Sequence, residues 1–491
     1  MSDLALRLGA PGPPDGLAAE STITGISQDS RLVAPGEVYA ALPGARHHGA
    51  AFAVEAAARG AVAAISDRPC EALPTFLVDD PRRVLGPLAS WIYGHPSREL
   101  DVFGVTGTNG KTSTAYLLDA GLRGAKIETG LISGVEIRGP WGERPAVRTT
   151  PEASELQQTL ATFHASGVSA VALEVSSHAL ALHRVEGIRF RVGVFTNLGA
   201  DHLDFHNDLE NYYSAKAKLF SPERCESAVI GIDDDYGRRL AAETALPHRT
   251  FSTQSTAADF YADHIRLDEH NTSFIVHGAD RSTAVRLRLL GRHQVDNALG
   301  AIAALSTAGV DPEPAIEGME SLECVPGRMQ RIEAGQPFLA FVDYMHNTAG
   351  QQRQFPYLRS LTSGKIIVVI GATGERDPGK RRPLGWTAAT FADTVIVTDE
   401  SPFSDNPARL REDVAAGAYA AGHAEVILEP RRADAIALAV TLAQAGDVLV
   451  VTGRGHDPVQ TYGAVTLAFD DRTELRHALE RGTANVVPPR R

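Results

Sequence analysis

The stretch Gly104-Val105-Thr106-Gly107-Thr108-Asn109-Gly110-Lys111-Thr112 decides the fold of the central part of the chain. An apolar strand pattern leads into it, and the helical pattern TSTAYLLDAGL follows it. Glycines leave backbone N–H groups free to wrap a phosphate, and the start of a helix favours the negative charge of that phosphate. The stretch therefore predicts a phosphate-binding loop between a buried strand and a helix.

Within this loop, Lys111 is predicted to reach the β- and γ-phosphates of ATP, and the Thr112 hydroxyl to ligate Mg²⁺. The stretch departs from the strict G-x-x-x-x-G-K-[ST] template, because Val105 stands six positions before Lys111. An ordinary strand-to-helix turn with a surface lysine is the alternative. The predicted ATP-binding residues of the loop are Gly107, Thr108, Asn109, Gly110, Lys111, Thr112 and Ser113.

Polar side chains also end the next two predicted strands, SAVALEVSS (residues 169–177) and VGVFTNL (residues 192–198). Glu174 lies at the end of the first strand, and His202 follows the second. In a parallel sheet these strand ends lie beside the phosphate-binding loop. Taken singly, each residue suits a structural hydrogen-bonding role, but their shared setting predicts a divalent-cation site with Thr112.

The patterns on either side of the loop predict further domains. Short apolar runs alternate with Ala-rich helical patterns before the loop, and the alternation restarts after Pro326 with KIIVVIGATG, TVIVTDE, AEVILE and DVLVVTGRG. We therefore predict an α/β protein of three domains. They are a small N-terminal α/β domain (1–98), a central P-loop parallel-sheet ATPase domain (99–325) and a C-terminal Rossmann-like domain (326–491).

Length and composition agree with this division. The 491 residues suffice for about three domains of roughly 150 residues, and 43% hydrophobic with 22% charged residues excludes disordered and fibrous classes. The net charge of −13 opposes non-specific binding to nucleic acid or anionic lipid. Three widely spaced cysteines suggest neither disulfides nor a thiolate zinc site. We expect a cytoplasmic monomer with no nucleic-acid or membrane partner.

The loop and four further motifs resemble, in order and spacing, those of the Mur ligases of peptidoglycan synthesis. They are TGTNGKT (106–112), EVSSHAL (174–180) with the later Arg184, FTNLGADHLDFH (195–206), YYSAKAKLF (212–220) and GRHQVDNALGAIAAL (291–305). The resemblance spans all three predicted domains. It is strongest to the MurE type, which adds the third amino acid to UDP-N-acetylmuramoyl-L-alanyl-D-glutamate.

This resemblance implies an ATP-dependent, ADP-forming ligase of acids and amino acids that serves cell-wall biogenesis, and hence cell shape and cell division. ATP would convert an acceptor carboxylate to an acyl phosphate, which an amine attacks while phosphate leaves. Lys111 and Mg²⁺ would stabilise the charge of the γ-phosphate. The implied substrates are small molecules: ATP, the UDP-muramoyl dipeptide or a similar acceptor, and an amino acid.

The resemblance also assigns roles to matching positions. Lys216 matches a family lysine that is carbamylated and helps hold a second magnesium, and a plain surface lysine is the alternative. Asn297 would contact adenine, while Arg328 and Asp343 would reach ATP from the third domain. The implied catalytic residues are Lys111, Lys216, Glu174 and His202, and the implied metal site is Thr112, Glu174, His202 and carbamylated Lys216.

Two further sets are implied for the other substrates. The acceptor-binding set is Ser30, Thr149, Thr150, Ser176 and Arg184, and structural roles are the alternative for both threonines. The amino-acid-binding set is Arg376, Glu400, Ser401, Phe403, Gly453 and Asp457.

The segment that selects the amino acid departs from the family. Members that use meso-diaminopimelate carry Asp-Asn-Pro-Arg, whose arginine grips the distal carboxylate, whereas this chain has Glu400-Ser401-Pro402-Phe403. A buried carboxylate without its cation costs roughly 2 to 5 kcal/mol, so we expect an amino acid other than meso-diaminopimelate. Asp405-Asn406-Pro407-Ala408-Arg409 is the alternative for the missing motif, but we predict that a helix starts there with Asp405 as its N-cap.

Two other substrate-facing segments depart as well. The family's Gly-Lys-Gly-His-Glu becomes Gly453 to Asp457, and its Thr-Pro-Asp becomes Asn347-Thr348-Ala349-Gly350. The leading hypothesis is a ligase that acts on the UDP-muramoyl dipeptide. One alternative is a MurE-like ligase of a specialised metabolite pathway with a different amino acid or acceptor. Another is a degenerate homologue that senses nucleotide.

Overall fold

The structure is a computed structural model that describes residues 1–18, 20, 22–44, 47–278 and 281–484. Its first unit is a four-stranded parallel sheet of order β1-β2-β3-β4. The apolar faces of α1 and α3 cover the sheet around Leu4 and Leu85. The elements are α1 (Ser2–Arg7), β1 (Gly25–Ser27), β2 (Glu37–Ala40), α2 (Ala53–Ala58), β3 (Ala63–Ser66), β4 (Thr75–Leu77) and α3 (Pro81–Ile92).

The second unit contains an eleven-stranded sheet of order β15-β14-β13-β12-β11-β10-β5-β9-β6-β7-β8. Its elements are β5 (Asp101–Thr106), α4 (Lys111–Gly124), β6 (Thr129–Ile132), β7 (Glu136–Gly139), β8 (Gly142–Pro145), α5 (Ala153–Ala165), β9 (Ala170–Glu174), α6 (Ser177–Ala181), β10 (Phe190–Phe195), α7 (Leu203–His206), α8 (Leu209–Ala217), β11 (Cys225–Gly231), α9 (Asp235–Glu243), β12 (His248–Ser252), β13 (Phe260–Leu267), β14 (Thr272–His277), β15 (Ser282–Leu287), α10 (His293–Thr307) and α11 (Pro312–Glu320).

The middle of this sheet, from β13 to β6, is parallel, as predicted. Both edges are antiparallel instead, and this was not predicted. Buried and partly exposed residues alternate along β14, because one face of such an edge strand meets water. The parallel strand β9 is buried throughout and is covered on both faces.

The third unit is a six-stranded sheet of order β16-β17-β21-β18-β19-β20, parallel except for β16. Helices cover both faces, one core including Phe355 and Val414 and the other including Ile436 and Leu475. The elements are β16 (Gln330–Arg331), β17 (Leu339–Asp343), α12 (Thr348–Ser360), β18 (Ile366–Ile370), α13 (Arg381–Phe391), β19 (Thr394–Val397), α14 (Pro407–Ala421), β20 (Glu425–Leu428), α15 (Arg432–Leu442), β21 (Val448–Thr452), β22 (Val459–Tyr462), β23 (Val465–Ala468) and α16 (Asp471–Ala484).

The predicted fold class, three α/β units around a central P-loop sheet and a doubly wound C-terminal sheet, is confirmed. The residue limits of the three domains stay a prediction. In the described part of the chain, no helix combines the length and apolar character needed to cross a membrane.

Candidate functional site

The loop between β5 and α4 forms the cradle that its glycines predict. Gly107 and Gly110 have φ values of 147° and 91°, which side chains rarely adopt. A Cβ on Gly107 would lie 1.9 Å from Thr196 Oγ1, and one on Gly110 would lie 2.3 Å from Asn297 Oδ1. These positions therefore require glycine, and the loop leads directly into the N-terminus of α4, the end of a helix that favours an anion.

Two lysines share this loop. Lys111 Nζ donates to the carbonyls of Gly107 at 3.0 Å and Thr108 at 2.8 Å. Lys216 Nζ, on α8, donates to the same Gly107 carbonyl at 2.7 Å. Burial lowers the pKa of both amines, that of Lys216 strongly, and the charge of Lys111 lowers the pKa of Lys216 further. Two lysine side chains thus meet where the phosphates of ATP are expected.

The environment of Lys216 favours an uncharged amine. Its side chain is 1% exposed, and its Nζ lies 4.4 Å from the centre of the Tyr212 ring. A neutral amine is the form that reacts with carbon dioxide, so burial supplies a physical reason for carbamylation at this position. The modification itself stays a prediction.

Glu174 lies at the end of β9, beside the loop. Its Oε1 accepts a hydrogen bond of 2.8 Å from the backbone N–H of Gly134, and burial raises the pKa of its carboxyl. Thr112 is the second residue of α4, and its Oγ1 accepts a hydrogen bond of 3.1 Å from Arg328. Ser113 is buried in the same turn.

His202 precedes α7 in a left-handed conformation with φ of 54°. Burial lowers its pKa to about 3, so its ring is neutral and able to act as a ligand. Its ring centre lies 5.0 Å from that of His178. Among the described residues, no group of three or more His, Cys, Asp or Glu side chains is arranged to hold a metal ion. The predicted cation site would therefore depend on ligands from phosphates or a carbamate.

The third unit closes over this edge of the central sheet. Arg328 stacks on the Tyr344 ring at 4.3 Å from its centre while donating to Thr112. The buried Asp343 accepts from the Met329 N–H at 2.6 Å, and burial raises the pKa of its carboxyl. His346 Nε2 lies 3.3 Å from Asp201 Oδ2. The contacts of Arg328 with Thr112 and of His346 with Asp201 connect the second and third units directly.

Asn347 and His456 add further contacts between these units. The Asn347 amide donates to Asp201 at 3.0 Å and to the Asn109 side chain at 3.3 Å. The His456 ring contacts the Gly134 carbonyl through Nε2 at 3.0 Å and Arg328 through Nδ1 at 3.2 Å. Burial lowers the pKa of His456 to about 3, so Nε2 donates to the carbonyl while Nδ1 accepts from the guanidinium.

The predicted adenine contact, Asn297, lies on α10 beside the loop. It is 3% exposed, and its side chain is held by Gln294 at 2.9 Å and Thr114 at 3.5 Å. The structure thus brings every residue predicted for the ATP set around one strand-end edge.

Three of the predicted acceptor residues lie together. Thr150 Oγ1 bonds to the Glu174 carbonyl at 2.8 Å and accepts from the Ser176 N–H at 3.0 Å, while Arg184 donates to the Thr150 carbonyl at 3.3 Å. Thr149 is half-buried beside Gly134. Ser30 lies in the first unit, where its Oγ donates to Glu55 at 2.7 Å.

The amino-acid set lies at the ends of β18, β19 and β21. Glu400 is buried and accepts a hydrogen bond from Thr373, and its Oε2 lies 2.6 Å from where a Cβ on Gly453 would stand. Ser401 accepts from Arg454 at 3.2 Å. Phe403 has a φ of 50°, and its backbone pairs with the hairpin β22–β23.

The remaining two residues differ in surroundings. Arg376 is exposed, without a hydrogen-bond or ion-pair partner within the described ranges. The Asp457 side chain is 42% exposed, yet burial of its carboxyl, reinforced by the charge of Glu400, raises its pKa to about 6.

One prediction about this region was wrong. Asn406, rather than Asp405, is the N-cap of α14, because its Oδ1 accepts from the Ala408 N–H at 2.9 Å. Asp405 instead pairs with Arg381 at 2.9 Å. The segment does start a helix, as predicted, and Arg409 on it is exposed.

Sequence reasoning missed several residues of the site. Asn347 and His456 stand inside segments described above, and Tyr344 directly follows Asp343, but no signal in the sequence marked their contacts. Gly134, which bonds to both Glu174 and His456, lies in a loop outside every motif.

Three family models match the chain. The Mur ligase middle domain matches residues 105–305, the Mur ligase, glutamate ligase domain matches residues 327–455, and the Mur ligase family, catalytic domain matches residues 22–87.

Similar proteins cover nearly the whole chain. The UDP-N-acetylmuramoyl-L-alanyl-D-glutamate–2,6-diaminopimelate ligase of Streptomyces avermitilis is 44% identical, covering 98% of this chain and 96% of that protein. The ligase of the same name from Corynebacterium glutamicum is 42% identical, covering 99% and 97%. These names oppose the expectation of an amino acid other than diaminopimelate.

Solved structures agree in fold. A UDP-N-acetylmuramoyl-L-alanyl-D-glutamate–2,6-diaminopimelate ligase is 29% identical with a TM-score of 0.66, covering 96% of this chain and 97% of its own. MurF ligase from Thermotoga maritima in complex with ADP is 22% identical with a TM-score of 0.68, covering 96% and 100%.

Proposed function

We propose that this chain adds an amino acid to UDP-N-acetylmuramoyl-L-alanyl-D-glutamate. The premise is that the chain belongs to the Mur ligase family and is an ATP-dependent, ADP-forming ligase of peptidoglycan synthesis. The observation that carries this proposal is the meeting of Lys111 and Lys216 on the Gly107 carbonyl, beside Glu174. Lys111 at a glycine cradle suits the charge of a transferring phosphoryl group, and a carbamate on Lys216 would hold a metal ion beside it.

Mg²⁺ is proposed as the cofactor of this site. Mg²⁺ prefers one or two carboxylates together with phosphate oxygens and water, and the donors here are the Glu174 carboxylate and the Thr112 hydroxyl. His202 and a carbamate on Lys216 would serve a second ion. When bound, the metal would neutralise the developing phosphate charge.

The acceptor would lie along Thr149, Thr150, Ser176 and Arg184, with its uridine end at the first unit near Ser30. Thr150 supports this placement, because its hydroxyl joins the backbone at Glu174 to that at Ser176. The acceptor carboxylate would then approach the γ-phosphate held by Lys111. We further propose that the protein acts in the cytoplasm as a monomer.

The choice of amino acid is where two observations disagree. The names of the relatives favour 2,6-diaminopimelate. The charges around Phe403 oppose binding of a second carboxylate, because the neighbouring guanidiniums already have partners. Arg411 is paired with Asp399, and Arg381 is paired with Asp405 and Asp413. Arg454 already donates hydrogen bonds to three backbone carbonyls.

Two further cations of the described chain, Arg376 and Lys380, follow β18. Arg376 is exposed and suits the α-carboxylate of the incoming amino acid. Lys380 lines a small cavity that it shares with the Glu400 carboxylate. We therefore propose that this chain disfavours an amino acid with a distal carboxylate, and that meso-diaminopimelate is not its preferred substrate.

The test is ADP formation with UDP-MurNAc-L-Ala-D-Glu, ATP and Mg²⁺ across a panel of amino acids that includes meso-diaminopimelate. We expect turnover that requires both the acceptor and an amino acid, with another amino acid giving a higher kcat/KM than meso-diaminopimelate. A preference for meso-diaminopimelate would refute the selectivity but leave the ligase activity standing.

Phe403→Arg sharpens this test. It should raise kcat/KM for meso-diaminopimelate by about tenfold or more, because it adds one charge-assisted contact to the distal carboxylate. Phe403→Met is the matched control, since it changes the side chain without adding charge, and it should give no such gain.

The unusual Glu400 to Phe403 segment also favours a second candidate, a MurE-like ligase with a different acceptor. Turnover with a muramoyl dipeptide that lacks UDP, at a rate equal to that with the UDP-linked acceptor, would support it. A nucleotide-sensing homologue would instead hydrolyse ATP without either substrate, at a rate that Lys216→Ala does not change.

A further inference from the structure

Three arginines from two units of the fold converge on one carboxylate. Glu152 lies 2.8 Å from Arg184 Nη2, 3.6 Å from Arg148 Nε and 3.8 Å from Arg82 Nη1. Arg82 is on α3 of the first unit, and the others belong to the second. We call these four residues the arginine cluster. Three guanidiniums against one carboxylate leave two positive charges without a partner inside the cluster.

The cluster is poorly explained as a stabilising ion pair. The Arg184 side chain is 14% exposed, and its Nε is buried without a hydrogen-bond partner in the described structure. Burial lowers its pKa, and the charges of Arg148 and Arg82 lower it further against the attraction of Glu152. Like charges held this closely oppose folding unless an anion offsets them.

The Glu152 side chain does not cap the helix that it precedes. It is the N-cap residue of α5, yet its side chain accepts no N–H from that helix. Its carboxylate serves the arginines alone among the contacts of the described residues. Glu152 is therefore a local anion placed where guanidiniums from two units meet.

The cluster lies between the two ends proposed for the acceptor. On one side Arg184 donates to the Thr150 carbonyl, and Thr150 bonds to the backbone at Glu174. On the other side the pKa of Asp29 is lowered chiefly by its hydrogen bond from Arg31 and also by the charge of Arg148. Arg82 additionally donates to the Pro43 carbonyl of the first unit at 3.2 Å.

We propose that the arginine cluster is an oxyanion site that binds a phosphate or carboxylate group of the acceptor, and that Glu152 competes with this group for the guanidiniums. The inference rests on the proposed function, whose acceptor carries a diphosphate and carboxylates. The planar fork of a guanidinium matches both kinds of oxyanion. Because Arg82 comes from the first unit, binding would also hold the first two units together.

The test is calorimetric binding of UDP-MurNAc-L-Ala-D-Glu to the full chain without amino acid. Arg82→Gln should weaken binding about tenfold, as expected for one charge-assisted contact. Arg83→Gln is the matched control, because Arg83 is the exposed neighbour on the same helix turn, and it should bind as the wild type does. Arg148→Gln repeats the test on a side chain that is 47% exposed and whose loss should spare folding.

Two shorter probes identify the group that is bound. UDP alone should lose affinity in Arg82→Gln if the diphosphate occupies the cluster, and MurNAc-L-Ala-D-Glu should lose affinity if a carboxylate does. Glu152→Gln should bind the full acceptor about threefold more tightly, because it removes the competing charge.

The outcomes separate the two proposals. Wild-type protein that does not bind the acceptor at all overturns the proposed function and this inference with it. Wild-type binding that is equal in Arg82→Gln and Arg148→Gln overturns the oxyanion site alone. Binding that is unchanged or weaker in Glu152→Gln overturns the competing role of that carboxylate.

Discussion

The two halves of the site, which we call the ATP half and the amino-acid half, are built differently. The ATP half consists of the 107–112 loop with Glu174, His202 and Lys216, and its geometry comes from backbone that only glycine permits. The amino-acid half consists of Arg376, Glu400–Phe403 and Gly453–Asp457. There, side chains at the ends of three strands of the third sheet form the site, some of them partly exposed, as Phe403 and Asp457 are, and others buried, as Glu400 is.

This difference explains where change is tolerated. A cradle made by backbone binds any nucleotide phosphate and loses its shape if a single glycine gains a Cβ. A selectivity surface made by side chains can exchange an arginine for a phenylalanine without disturbing the strands beneath it. The departures from the family accordingly fall on Glu400 to Phe403, Asn347 to Gly350 and Asp457, while the loop motif is intact.

The largest effect should come from Lys216, on which the ATP half depends. Lys216→Met should lower kcat about 10²- to 10³-fold, because it removes the amine that would carry the carbamate and so a ligand of the metal that would neutralise phosphoryl charge. Steady-state ADP formation measures it. Lys218→Met, two residues along on the exposed side of the chain, is the control. Equal kcat in both variants would contradict the role of Lys216.

A smaller loss is expected from Gly110→Ala, which tests whether backbone alone shapes the cradle. The new Cβ would stand 2.3 Å from Asn297 Oδ1 at a φ of 91°, so the loop must shift and ATP turnover should fall about ten- to a hundredfold. Gly309→Ala is the control, because Gly309 has a φ of 83° with no atom within 4 Å of the added Cβ. If Gly110→Ala and Gly309→Ala turn over ATP at the same rate, the loss of turnover comes from backbone strain at a positive φ and not from the shape of the cradle.

The fold and the ATP half could be predicted because their signals are local in the sequence. The strand, the glycines and the helix start of the 104–112 stretch are contiguous, and each has one structural meaning. The antiparallel edges were missed although residues 272–277 alternate between buried and partly exposed, since alternation does not tell which strand will pair with which.

Contacts between units could not be predicted in the same way. His456 reaches the Gly134 carbonyl across 322 residues of sequence, and Arg82 meets Glu152 from another unit. Neither pair stands in a pattern that specifies its partner, because such contacts follow from how the three units pack. The same reason explains the wrong cap: Asp405 and Asn406 are both good N-cap residues, and Arg381 engages Asp405.

The pH dependence of the amino-acid half should separate it from the ATP half. Burial raises the pKa of Asp457 to about 6, so this carboxyl is charged above pH 6 and protonated below it. Protonated Asp457 no longer attracts an ammonium group or accepts its proton. At saturating ATP, kcat/KM for the amino acid should therefore fall up to tenfold per unit below pH 6.

Asp457→Asn should remove this acidic limb while lowering the plateau. Asp434→Asn, at an exposed carboxylate at the start of α15, is the control and should keep the wild-type profile. An acidic limb that persists in Asp457→Asn would assign it to another group, such as Glu174, whose pKa is also raised, and would move the pH dependence into the ATP half.

The smallest effects are expected beside the selectivity segment, at the residues that mimic the missing family motif. Asn406→Ala should cost about 1 kcal/mol in the free energy of unfolding, because it removes the N-cap of α14, and chemical denaturation measures this. Arg409→Ala should change neither stability nor the ratio of kcat/KM values between meso-diaminopimelate and the preferred amino acid, since Arg409 is exposed on the helix. If that ratio falls in Arg409→Ala, the carboxylate-binding arginine has moved along the chain instead of being lost, and the amino-acid half keeps the family's selectivity by a different residue.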